Sequence, residues 1–504
     1  MTKEYIKRQF SNFARDILTP FFVKQKSLKN AEVLDIEWQR YDFTAQGESS
    51  TTIRTNTIDI GKYYGEGLIL VTFPDEIKCK LNVPKFNSTN EREQFVTYHP
   101  FSLIANENDF IRVGFYKKDG SNLLPTDPIA SEIKIYAIKN IINDCDISVA
   151  PSDATEDDKL KATIVLDGIN DTRVLASLFS CYNSIKVLLC NGTYNINEMW
   201  TGGNGAYKVA LPFFEAELGN KYRRYVSIHG EGLSTPQTIN AAIFRVSQSL
   251  HESMTDDNVN YFLIGTPYAK DTSITPLYTC CDLKYFNVIG WKYNKPITYI
   301  DTSRCVSAMI ECVNVRSWAE GINTYNPFAD TPNLECTGIR VGKGSNYGIH
   351  NKLSHLNVWY CGKGVVCNGE HYIFEDVKVH HDYIGFVFGD KLTQGKQEHP
   401  NVMIGCSIEG CYRMGILSKN GETTEKEWTQ GVASRSTLVM IGTSTEPVWS
   451  IPTNEIENNV TTQTTKPFKE IIKGAWRGRI EIDAAPNIVW ESGSGANFTT
   501  TTYN

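Results

Sequence analysis

Between residues 29 and 141 the apolar positions alternate with polar ones. Ile77, Cys79, Leu81 and Val83 enclose Lys78, Lys80 and Asn82; Ile111, Val113 and Phe115 enclose Arg112 and Gly114; Ile133 and Ile135 enclose Lys134. A period of two gives each strand one buried and one wet side. With turn signals such as Asp119-Gly120 between the runs, this segment is expected to form a small antiparallel β-sandwich. Ahead of it, Ile6, Phe10, Phe13 and Ile17 follow helical spacing up to Pro20, which predicts a helical anchor within residues 1–28. Residues 142–158 carry the polar, acidic run Pro151 to Asp158 and read as a linker.

The pattern changes again after Ile164-Val165-Leu166. Leu175, Leu178, Phe179 and Tyr182 fall on one helical face, with Asn170 or Asp171 placed to cap it. Ile185 to Leu189 is a short apolar run, and Asn191-Gly192 turns it into a second at Tyr194 to Ile196. A strand, one helix, then short strands is what a solenoid needs at its open end, so the helix is expected to act as a lid. Further on, one triplet recurs as apolar, polar, apolar: Phe286-Asn287-Val288, Val313-Asn314-Val315, Leu356-Asn357-Val358, Val377-Lys378-Val379 and Cys406-Ser407-Ile408. Gly-apolar pairs follow at Gly321-Ile322, Gly364-Val365, Gly385-Phe386 and Gly415-Ile416. Irregular spacing is tolerated where loops lengthen between stacked rungs, so residues 159–445 are expected to form a parallel β-helix. Residues 446–504 lose the triplet, turn Thr-rich, and read as a C-terminal cap or subunit-contact region.

Inward apolar members force their neighbours outward. Aligned rungs then stack Ile289, Arg316, Trp359, His380 and Glu409 in one outward column and Tyr285, Cys312, His355, Asp376 and Gly405 in another, with Asn287, Asn314, Asn357, Lys378 and Ser407 between. Arg316, His355, Trp359 and Lys378 suit sugar binding, Trp359 as a platform for a pyranose ring. Asp376 and Glu409 are candidates for the acid and base of glycoside hydrolysis, and His380 or Lys378 for the base of uronate elimination with Arg316 stabilising the charge. His380-His381-Asp382 is no metal site on this reading, because neighbours on a strand point apart. No metal or cofactor is expected.

Composition narrows the class. With 41% hydrophobic and 21% charged residues, the chain is globular, and Gly 37, Tyr 25 and Phe 23 favour a turn-rich β protein. A net charge of −7 supplies no field for nucleic acid. No run is long and apolar enough to insert in a membrane, and Met1 to Arg8 lacks the apolar core of a signal peptide, so synthesis in the cytosol is expected. The 13 cysteines are odd in number and never in Cys-x-x-Cys spacing, which predicts buried small hydrophobes and no disulfide framework.

The run Asp167-Gly168 through Asn170-Asp171-Thr172 to Asn191-Gly192-Thr193-Tyr194, followed by Val226-Ser227-Ile228-His229-Gly230-Glu231-Gly232, resembles the opening of the pectate-lyase-like right-handed β-helix superfamily, found in bacteriophage tailspikes and polysaccharide lyases. The resemblance implies a mainly β fold, a right-handed single-stranded parallel β-helix behind an N-terminal antiparallel β-sandwich. It implies a virion tail protein that meets a bacterial cell-surface glycan, with or without depolymerising it. A homotrimer, and contact with other phage tail or baseplate proteins through the N-terminal region, are implied likewise. The alternatives are a non-catalytic tail appendage and a bacterial pectate-lyase-like enzyme.

Overall fold

The computed structural model describes residues 67–84, 92–105, 110–139, 146–203, 205–214, 224–232, 241–268, 277–318, 332–342, 351–369, 371–388 and 401–411, with short strands at 32–33, 38–40, 53–55, 58–59, 413–418, 425–427, 438–441, 444–445, 468–473, 476–481, 487–492 and 499–503. The expected anchor at 1–28 lies outside them. The protein is mainly β, with two antiparallel sheets near its N-terminus and two large sheets whose strands run mostly parallel.

The antiparallel pair encloses one core. Ile69, Val71, Leu103 and Ile135 of a four-stranded sheet meet Ile77, Cys79, Leu81, Val113 and Phe115 of a six-stranded one. In the six-stranded sheet the other side is wet, as period two requires, and Arg112 is exposed. The four-stranded sheet departs from that expectation. Gly67–Thr72 and Phe101–Ala105 are buried along their whole length, because Leu68, Leu70, Ile104 and Ile138 pack into the core of the parallel sheets. Leu68-Ile69-Leu70-Val71 has no alternation, which is the mark of a strand covered on both faces.

The helix Asp171–Phe179 lies in that contact and buries Leu175, Leu178 and Phe179. It covers the first parallel strands, Ile185–Leu189, Gly192–Ile196 and Tyr207–Pro212, where a lid was expected, and Gly67–Thr72 and Phe101–Ala105 of the four-stranded sheet pack against it as well. Asn170 occupies the N-cap position but makes no capping bond, its Nδ2 donating to Asp167 instead, while the Asp171 carboxylate reaches back to accept the Gly168 N–H at 2.8 Å. Asp167 accepts from Ile169 and Asn170 and satisfies two further donors. Tyr182 falls beyond the helix and packs tilted against Phe95 and edge-to-face with Phe214 in the N-terminal core. The supposed linker is likewise ordered. Asp146–Ala150 pairs in parallel with Ile185–Leu189, and Glu156–Lys161 is a helix capped by Thr155. The parallel sheets thus begin at 146, not at 159.

From there the chain passes alternately through the two large sheets. Leu277–Lys284 and Phe286–Ile289 lie in the twenty-stranded sheet, Ile297–Asp301 in the nine-stranded one, then Cys305–Glu311 and Asn314–Arg316 return to the first beside their predecessors. Three further circuits repeat the course, through Thr337–Val341, Lys363–Cys367 and Ile384–Phe388. The triplets stack in register, so that Phe244, Val288, Val315, Val358, Val379 and Ile408 form one buried row. Gly364 and Gly385 align, whereas Gly415 pairs with Phe386 and is one place out of step; Gly321 lies outside the described residues. Among the described residues every cysteine is a free thiol and only Cys280 and Cys312 are not buried, and no helix is long and apolar enough to cross a membrane.

Five successive passes through the twenty-stranded sheet, from Leu277 to Glu409, each bend at one residue. Tyr285, Cys312, His355, Asp376 and Gly405 have φ of 60°, 52°, 54°, 50° and 59°. This left-handed residue absorbs one step of the alternation. Leu283 and Phe286 both point inward though three places apart, and so do Ile310 and Val313, Leu353 and Leu356, Phe374 and Val377, and Met403 and Cys406. A side chain in that conformation costs about 1–2 kcal/mol. A Cβ at Gly405 would touch nothing within 4 Å, so Gly405→Ala isolates the backbone cost and should lower the unfolding free energy by about 1 kcal/mol in urea titrations. Gly410→Ala should cost more, since its Cβ would stand 2.5 Å from the His381 ring.

At the junction, His99 Nδ1 lies 3.2 Å from the Pro100 carbonyl and 3.3 Å from Ser180 Oγ, fully enclosed, and burial drives its pKa down to about 4. The unfolded chain takes up this proton below about pH 6.5 and the native state does not. The stabilising contribution is therefore whole above that pH and declines by about 3 kcal/mol as the pH falls toward 4. In a His99→Gln variant, unfolding measured across this window should lose that part of the acid sensitivity.

Candidate functional site

The bend creates the outward rows. Ile289, Arg316, Trp359, His380 and Glu409 are direct neighbours across successive strands. Asn287, Asn314, Asn357, Lys378 and Ser407 form the next row. Here Asn314 Nδ2 donates to Asn287 Oδ1 at 2.7 Å and Asn357 Nδ2 to Asn314 Oδ1 at 2.8 Å. With Asn287 and Asn314 almost inaccessible, this amide ladder ties circuits together and offers no ligand surface.

The candidate residues gather into two groups. At the corner, His355 Nδ1 faces Asp376 Oδ2 at 3.0 Å and Lys378 Nζ lies 3.6 Å from Asp376 Oδ1; the His355 and Asp376 side chains are 51% and 41% exposed. One limb onward, the Trp359 and His380 rings lie 4.9 Å apart and His380 Nδ1 meets Glu409 Oε2 at 2.9 Å. A carboxylate only accepts, so Nδ1 carries the hydrogen. Burial holds the His380 pKa below the usual imidazole range, against the pull of Glu409. The ring is thus neutral near pH 7, and its Nε2, like Trp359 Nε1, is enclosed without a hydrogen-bond partner. The Arg316 guanidinium sits 5.2 Å from the Trp318 ring and 5.8 Å from that of Tyr360, one circuit before Trp359. Tyr360 in turn stacks on His381 at 5.5 Å and 9°.

The two candidate carboxylates fall in different groups, Asp376 with His355 and Lys378 at the corner and Glu409 with His380 on the limb beyond it. His380 faces outward while Asp382 is fully buried, and among the described residues no three metal-ligating side chains converge.

A further cluster escaped the sequence reading. Arg224–Gly230, Leu277–Lys284 and Cys305–Glu311 are adjacent parallel strands, and their outward residues converge on Asp282. Tyr225 OH donates to Asp282 Oδ2 at 3.1 Å and His229 Nε2 approaches the same oxygen at 2.9 Å. Lys284 Nζ lies 3.4 Å from Asp282 Oδ1 and 3.1 Å from Glu311 Oε2. Burial opposes ionisation of Asp282, but His229, Lys284 and Tyr225 together outweigh it and hold the carboxyl below its ordinary range. Ser227 Oγ also lies 3.0 Å from His229 Nε2. Because serine and aspartate meet the same nitrogen, this is not the relay of a serine hydrolase, which uses both ring nitrogens. The signal available was the alternation Tyr225-Val226-Ser227-Ile228-His229, which predicts the outward set once its partner strand is known.

The His380–Glu409 pair gives a direct check. Glu409→Gln removes the anion that favours the imidazolium, so the His380 titration followed by NMR should move further down; an unchanged titration would show that the two do not interact. No family model matches the chain, and neither the curated proteins nor the solved structures hold a match to it.

Proposed function

We propose that the stacked circuits are a right-handed parallel β-helix of the pectate-lyase-like kind and that the chain is a tailspike-like virion protein, a homotrimer held to the tail by its N-terminal region. Its outer face recognises a bacterial surface polysaccharide. The observation that carries this reading is the in-register row in which Trp359 stands against His380 and Glu409 beside the His355–Asp376–Lys378 corner. An aromatic ring flanked by hydrogen-bonding groups already fixed by their neighbours is pre-organised for a sugar ring and its hydroxyls.

Recognition without turnover is the form the geometry supports best. Asp376 is engaged by His355 and Lys378, and Glu409 by His380 and Ser407, so each carboxylate is already held by its neighbours. Full-length protein should retain capsular or cell-wall polysaccharide of a susceptible host in a co-sedimentation assay. Trp359→Ala should weaken that binding about tenfold. Neither new reducing ends nor the absorbance of an unsaturated uronate should appear. Their appearance, and their loss in Asp376→Asn or Glu409→Gln, would restore depolymerisation, and absence of all binding would leave a purely structural appendage.

A further inference from the structure

We propose that the Tyr225–Asp282 cluster is a second glycan-contact site, built for a neutral pyranose. This rests on the reading of the chain as a glycan-recognising protein, but on different residues, in earlier circuits and on the limb before the corner.

Two independent features point to a ligand. Tyr225 leaves 46% of its surface exposed although its hydroxyl is tied to Asp282. The ring is therefore fixed in orientation and open on the outside, as a stacking platform must be. Around it the polar side chains are locked before any ligand arrives. His229 and Lys284 converge on Asp282, Lys284 bridges to Glu311, and His229, Lys284 and Glu311 each keep part of their surface open. Such an array presents donors and acceptors at fixed spacing and loses little side-chain entropy on binding.

Charge selects the sugar. Two carboxylates stand against one lysine ammonium, and the imidazole is already engaged with Asp282, so no surplus positive charge remains to hold a uronate or sulfate. Chemistry beyond binding is disfavoured as well. Lys284 stands between the two carboxylates, and Tyr225, His229 and the Lys284 charge favour the ionised form of Asp282, which leaves it no proton to give a leaving group.

Calorimetry of the full chain with neutral gluco-, galacto- and manno-oligosaccharides of increasing length, each beside its uronate counterpart, tests the site. Neutral oligosaccharides should bind better than uronates at this site, Tyr225→Ala should weaken them about tenfold, and Tyr225→Phe, which keeps the ring, should retain most of the affinity. Asp282→Asn should weaken binding too, with circular dichroism confirming the fold. If Trp359→Ala abolishes binding while Tyr225→Ala leaves it unchanged, the second site is overturned and glycan recognition stands. A loss confined to uronates overturns the neutral assignment, and failure of every oligosaccharide and polysaccharide to bind overturns both readings.

Discussion

One backbone conformation governs the five passes of the twenty-stranded sheet between Leu277 and Glu409. A strand that alternates strictly cannot bend and still keep its apolar residues on the concave side, because each added residue flips the face. The left-handed residue at each corner takes up the odd step, so that Leu283 and Phe286, or Phe374 and Val377, both reach the interior. Glycine adopts this conformation at no cost, yet only Gly405 among the five corner positions is glycine. Tyr285, Cys312, His355 and Asp376 are held there by the register of the circuits on either side, and the corner carries His355 and Asp376 outward together.

The same rule separates what could be read in the chain from what could not. Triplets such as Val313-Asn314-Val315 are legible because both apolar members lie on one limb, where period two holds without interruption. The stacking of Trp359, His380 and Glu409 follows from aligning them. The corner was not legible as a corner, since Tyr285 or His355 looks like one more outward residue until its φ is known. The Asp282 cluster stayed hidden for another reason: Tyr225 and His229 are far in sequence from Asp282 and Glu311, and nothing in the intervening stretch marks which strands pair. In the N-terminal sheet, Leu68-Ile69-Leu70-Val71 did carry its signal, the absence of alternation, but what covers its second face is a tertiary fact.

Electrostatic pairing runs through both outward clusters. Asp376, Glu409 and Asp282 each have an imidazole within hydrogen-bond reach, and Asp376 and Asp282 each have a lysine ammonium within ion-pair distance. Mutual engagement fixes the orientation of these side chains before any ligand arrives. The Asn287–Asn314–Asn357 ladder extends the same economy below that surface by satisfying amides that would otherwise be buried without partners.

The doubly covered strands Gly67–Thr72 and Phe101–Ala105 bear on how such chains can diversify. Cutting between the antiparallel sheets and the helix Asp171–Phe179 would lay open Leu68, Leu70 and Ile104 on one fragment and Leu175, Leu178 and Phe179 on the other. Trp200, bonded to the Phe73 carbonyl, and Phe214, packed in the N-terminal core, extend that shared region further along the chain. Recombination that exchanges outward faces while preserving the fold is therefore confined to later circuits, where each circuit packs mainly on the one before and the one after. Outward residues can change there while the junction keeps its packing.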